Sequence, residues 1–104
     1  MAEPRAYSAE EVRDQILGHM RMLAGYWDSV EYKTSREKLD GLCFSILNIF
    51  DGTTVLPAFD IHVHPHESDK AYAIENDENW YEPGMLVNQA DEMLHDQYFE
   101  KDDG

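Results

Sequence analysis

Cationic side chains are scarce in this chain: eight lysines and arginines stand against 22 aspartates and glutamates, a formal charge of −14 over 104 residues. Direct binding to nucleic acid or to an anionic membrane is disfavoured, because no basic stripe exists to replace the counterions of a phosphate surface. Cysteine is scarcer still. The single Cys43 cannot close an internal disulfide. Its place within an apolar run, with no base beside it, predicts a buried small hydrophobe rather than a nucleophile. No apolar run approaches the roughly 20 residues of a bilayer span, and residues 1–5 show no charged segment leading into an apolar one. The expected home is the cytoplasm. Gly41, Gly52 and Gly84 stand singly, without the Lys-Ser or Lys-Thr of a phosphate-cradling loop, and no serine sits in a Gly-x-Ser-x-Gly elbow. Among 22 carboxylates adjacency is a matter of chance, so no general acid and base can be chosen. The expectation is a protein without catalysis.

What is present fits one domain spanning residues 1–104, with loose ends at about 1–7 and 100–104; a chain of this size can bury a core without disulfides or metal. Ser8-Ala9-Glu10-Glu11 offers a hydroxyl cap with a carboxylate three residues on, the reciprocal arrangement that satisfies free amides at a helix start. Val12, Ile16, Met20, Leu23 and Trp27 then recur at three- and four-residue spacing, which predicts a helix over about 9–28. The same start signal returns at Thr34-Ser35-Arg36-Glu37. Leu39, Leu42, Cys43, Ile46, Leu47 and Phe50 follow the helical rule up to a stop at Asp51-Gly52. Phe44 falls outside that stripe, so it packs on a second layer or is presented to a partner.

Beyond Pro57 the period changes. Phe59, Ile61 and Val63 alternate with Asp60, His62 and His64, the pattern of a half-buried strand. Residues 66–84 admit two readings: a short helix capped by Ser68 and running to Ile74, or a strand over Ala71–Ile74, with a turn at 76–79. Met85–Val87 suggests another short strand, and Ala90, Met93, Leu94, Gln97 and Tyr98 form the stripe of a last amphipathic helix. The fold expected is therefore α+β: a two-helix antiparallel pair packed on a small β-sheet, with a C-terminal acidic helix.

His62-Val63-His64-Pro65-His66 is the one cluster with the look of site chemistry. On a strand, His62 and His64 share a side about 7 Å apart, so they can meet a divalent metal such as zinc, with His66, Glu67, Asp69 or His95 as further ligands if the fold brings them close. Asp60-x-His62-x-His64 resembles the strand-end motif of amidohydrolases, but those barrels run to about 250 residues, and this chain is too short for one. The plainer reading is a solvent-facing strand surface with no cofactor. Three neighbouring imidazoles also offer a response to mild acid.

Residues 75–104 hold ten acids and one base, Lys101. Trp80 and Tyr81 lie among them, and aromatic anchors ringed by charge suit a protein interface. Asp77, Glu78, Trp80, Tyr81 and Glu82 are thus the candidate contacts for a partner with a basic surface, such as the nucleic-acid channel of a host enzyme, which the acids would meet as a DNA mimic does. Plain solubility is the alternative. A homo-oligomer burying Phe44 and Tyr26 between copies is a third reading.

Glu37-Lys38-Leu39-Asp40-Gly41-Leu42-Cys43-Phe44-Ser45-Ile46-Leu47, Asp51-Gly52, Leu56-Pro57-Ala58-Phe59, His64-Pro65, Asp69-Lys70 and Glu78-Asn79-Trp80 together resemble a group of small acidic proteins of bacterial phages, prophages and mobile elements, over about residues 10–88. The resemblance implies a bacterial or phage cytoplasm and an accessory role, with a host defence or nucleic-acid enzyme as one target. It supplies no catalytic residues.

Overall fold

The computed structural model describes residues 3–88 and 93–100. Four helices follow in order: α1 (Ala9–Ser29), α2 (Ser35–Asp51), α3 (Asp69–Glu75) and α4 (Leu94–Glu100). Both long helices begin as their sequences predict. The Ser8 hydroxyl accepts the Glu11 amide while the Glu11 carboxylate accepts the Ser8 amide, and Thr34 and Glu37 repeat the exchange. Arg5 adds a two-pronged bond to Glu11, at 2.8 Å to each oxygen. With the Ser8 amide it holds that carboxyl down at about 2. Gly52 ends α2 in the left-handed region, φ 80°. Its N–H reaches Ile49 and that of Thr53 reaches Asn48, which satisfies carbonyls the helix leaves open.

The two long helices pack as an antiparallel pair. Near their connection the Lys38 ammonium donates to the Asp28 carbonyl at 2.9 Å. One turn inward the Trp27 indole donates to Ser45 at 3.0 Å, and farther along α1 Val12 shares a groove with Leu56, beyond the far end of α2. The Trp27 ring lies over Gly41, its far edge 2.5–2.7 Å from where a Cβ would stand, so no other residue fits there without moving the indole.

The short helix α4 docks on the other side of α2. Asp51, whose side chain is only 3% exposed, accepts the backbone N–H groups of Leu94 and His95 at 3.0 and 2.8 Å, and His95 Nδ1 lies 2.7 Å away. Burial pushes the Asp51 carboxyl up, but these donors outweigh it and leave it below the usual carboxylate range. Phe44 completes the contact, its ring 5.3 Å from His95 and 5.7 Å from Phe99. Of the two alternatives for Phe44, packing on a second layer is the one realised. The Tyr98 hydroxyl donates to Asp40 at 2.8 Å. That carboxylate, with burial and the Cys43 thiol, pushes the phenol up to about 12.

Two expectations are corrected. The fold is not α+β: among the described residues there is no strand and no sheet, only one isolated antiparallel bridge between His62 and Leu86. The alternation over 59–64 does appear as half-buried and exposed positions. Its backbone pairs, however, with a single neighbour, through Val63 N–H to Met85 O, Gly84 N–H to Val63 O and Val87 N–H to Ile61 O. The next rung is a side chain: Asn88 accepts the Ile61 amide and donates to the Phe59 carbonyl. A lone ribbon of this kind, hemmed by Pro57, Pro65 and Pro83, has no third partner on which to grow. Cys43 is the second correction. It is exposed, because it lies on the flank of α2 between the residues that meet α1 and those that meet α4, beside Tyr98.

Residues 66–83 between the two arms of the ribbon carry α3, so the helical reading of that segment is the correct one. Ser68 stands at its cap position without a side-chain cap bond. Helix α3 packs against none of the other helices, and the ribbon joins the rest mainly through Phe59 against Phe50, ring to ring at 6.0 Å. Among the described residues only Ile49, Leu56 and Ala73 are buried apolar side chains. Ala90, expected in the last helix, lies outside the described residues.

Candidate protein-binding face

The lobe formed by residues 60–88 holds every partner-contact candidate and the histidine cluster, with seven acids against one base, a formal −6. Glu78 donates its amide to the Ala73 carbonyl at the end of α3, and Asp77 takes the left-handed conformation, φ 59°. That turn carries the chain from α3 into Trp80 and Tyr81, which are 41% and 70% exposed. Tyr72 and Ile74 on α3 are also exposed, and the sequence reading did not select them. Their signal was the absence of any helical stripe in 69–75, which leaves apolar residues without an inner face to occupy.

Glu82 has a different task from Asp77 and Glu78. One of its oxygens accepts the Trp80 indole N–H at 2.7 Å and the Lys70 ammonium at 3.2 Å. Lys70 in turn sits 5.2 Å from the Trp80 ring centre. The indole bond first, then Lys70, hold the Glu82 carboxyl below its usual range. The lobe's only cation is therefore spent on orienting Trp80, while Asp77, Glu78 and Tyr81 face outward without it. Lys70 was missed by the sequence reading, although a lone base in an acidic stretch was the available signal. Beside this arrangement lies a groove of about 420 Å³ lined by His64, Pro65, His66, Glu67, Lys70, Tyr81, Glu82 and Pro83.

The histidines are placed for the lobe's own turns. The backbone N–H of Ser68 donates to His66 Nδ1 at 3.1 Å, and the Ser68 hydroxyl lies 2.8 Å from the same atom. His62 Nδ1 faces the Gly84 carbonyl at 3.3 Å. Asp69 accepts the His66 amide, and His95 is held by Asp51 in the helical region. His62 and His64 are both exposed. Among the described residues no three histidine, cysteine, aspartate or glutamate side chains come together in a group that could hold a metal ion.

No protein-family model, curated protein or solved structure matches the chain. The resemblance to phage and prophage proteins thus rests on the residues quoted for it. No helix among the described residues is long and apolar enough to cross a membrane.

Proposed function

We propose that this protein is a non-catalytic accessory protein that binds the basic surface of another protein through the 60–88 lobe. The observation that carries the reading is the exposure of Trp80 and Tyr81 beside outward acids, on a lobe whose one lysine is already engaged. Aromatic side chains supply the area that water gives up on contact, and surrounding carboxylates select a cationic partner and speed the encounter. The phage resemblance gives the setting, a bacterial cytoplasm. A spaced array of carboxylates suits a surface that otherwise holds phosphates, so a nucleic-acid enzyme of the host is the partner class favoured.

The test is capture from a bacterial lysate on the immobilised full chain, with duplex DNA as competitor. Binding is expected to fall steeply as salt rises, to fall at least roughly tenfold in the Asp77→Lys, Glu78→Lys double variant, and to be displaced by DNA. Capture indifferent to salt and to the charge reversal would overturn the reading.

A further inference from the structure

We infer that a second copy of this chain docks on the groove between α1 and residues 55–57, giving a two-fold dimer joined through the helical pair. Exposed area favours a second copy. The chain exposes 8525 Å², whereas a compact monomer of 12.1 kDa is expected to expose roughly 6,000 Å². Its radius of gyration, 17.9 Å, likewise exceeds the roughly 13 Å of a compact chain this long. A surplus of roughly 2,500 Å² is ample beside the roughly 800 Å² that each partner gives to a stable interface.

Bare apolar side chains gather at one place, between α1 and residues 55–57. The groove encloses about 490 Å³. Tyr7, Met22 and Val55 along it are 67%, 58% and 91% exposed. Val55 is nearly as wet as in an unfolded chain, although its neighbour Leu56 is buried. Gly18 in the groove has nothing within 4 Å of where a Cβ would stand, so a second backbone can come close there.

Charge selects the occupant. Two copies at −14 each repel, so they must meet where that charge is least. Residues 1–40 hold eight acids and six bases, a formal −2, against −6 on the 60–88 lobe. Among the described residues no aspartate, glutamate, lysine or arginine lines the groove, and Glu11, next to Val12 on α1, is already neutralised by Arg5, so two copies meet there with little like charge between them. A basic partner finds little to attract it here. The two surfaces therefore take different occupants.

Sedimentation of the full chain over a range of concentrations tests this. A species of twice the 12.1 kDa chain mass is expected. Its dissociation constant should rise at least roughly tenfold in Val55→Glu and in Met22→Glu, with the helical circular dichroism retained. Because Val55 makes almost no internal contact, its variant keeps the fold even if Met22→Glu does not. Tyr81→Glu is expected to leave the dimer intact. Added salt should tighten the dimer by screening like charge, the reverse of its effect on the acidic lobe's partner, so failure of one reading is distinguishable from failure of the other. A chain that stays at 12.1 kDa at every concentration, or a dimer that survives Val55→Glu and is broken by Tyr81→Glu, overturns the inference.

Discussion

The α1–α2–α4 region and the 60–88 lobe sit side by side in one short chain, yet they are held by different forces. The helical region has two reciprocal caps, the buried Ile49 and an aspartate that receives three donors across the α2–α4 contact. The lobe has one buried residue, Ala73, three ribbon hydrogen bonds and a surface Lys70–Glu82–Trp80 cluster. Buried apolar contact and charge-assisted caps make a scaffold, whereas exposed pairs in water contribute little to stability and leave side chains free for a partner. The region that holds the fold is thus not the region proposed to recognise the basic protein.

Ile49→Ala is expected to break the comparison most severely. It removes a side chain that is wholly buried on α2, and such truncations cost about 2–5 kcal/mol. For a domain with so few buried residues that is a large share of its stability, read as a fall in melting temperature followed at 222 nm. A change below about 1 kcal/mol would show that the scaffold's core lies elsewhere.

Asp51→Asn comes next, at about 1.5–3 kcal/mol, since both carboxylate oxygens accept and the variant turns one of them into a donating NH2, losing at least one of the three hydrogen bonds and the charge that strengthens the rest. Hydrogen exchange at the Leu94 and His95 amides should accelerate while α1 stays protected. Folding holds the Asp51 carboxyl below its ordinary range. Stability from Asp51 is fully present above its unfolded value of about 4 and drains away as pH falls through the lower folded value. Docking of α4 is therefore expected to weaken in acid, below about pH 4. An acid limb unchanged by Asp51→Asn would assign that loss to other carboxylates.

The smallest effect is expected for Lys70→Ala, which sharpens the contrast from the lobe's side. The chain's two tryptophans fall one in each region, Trp27 against Ser45 and Trp80 against Glu82. In a Trp27→Phe background Trp80 is the one indole left to emit. Lys70→Ala should then change its emission while leaving the melting temperature nearly untouched, because the cluster is exposed. A marked loss of stability would mean that the lobe is as tightly built as the helices.

The helical half was legible in the sequence because its signals are local. Ser8 with Glu11, Thr34 with Glu37 and the glycine at 52 each act within five residues, and the apolar stripes of α1 and α2 need only helical periodicity. The lobe was misread for the opposite reason. Alternation at 59–64 is a true pattern of burial, but a sheet also needs neighbours, and here Asn88 takes the place where a further rung would stand. The candidate face was half legible: its acids and aromatics could be named, whereas the division of labour between Glu82 and its neighbours depends on Lys70, twelve residues away.

By itself the sequence determined the two capped helices, the point at which the second one stops, and the gathering of negative charge in the later part of the chain. These follow from near-neighbour hydrogen bonding, periodicity and composition. Only the tertiary structure decided that Asp51 anchors a helix 43 residues away, that Cys43 lies in water, and that Val55 is left bare while Leu56 is covered. Such outcomes depend on which surfaces win a place against one another, and that competition is settled by packing among distant segments rather than by any residue's own preference.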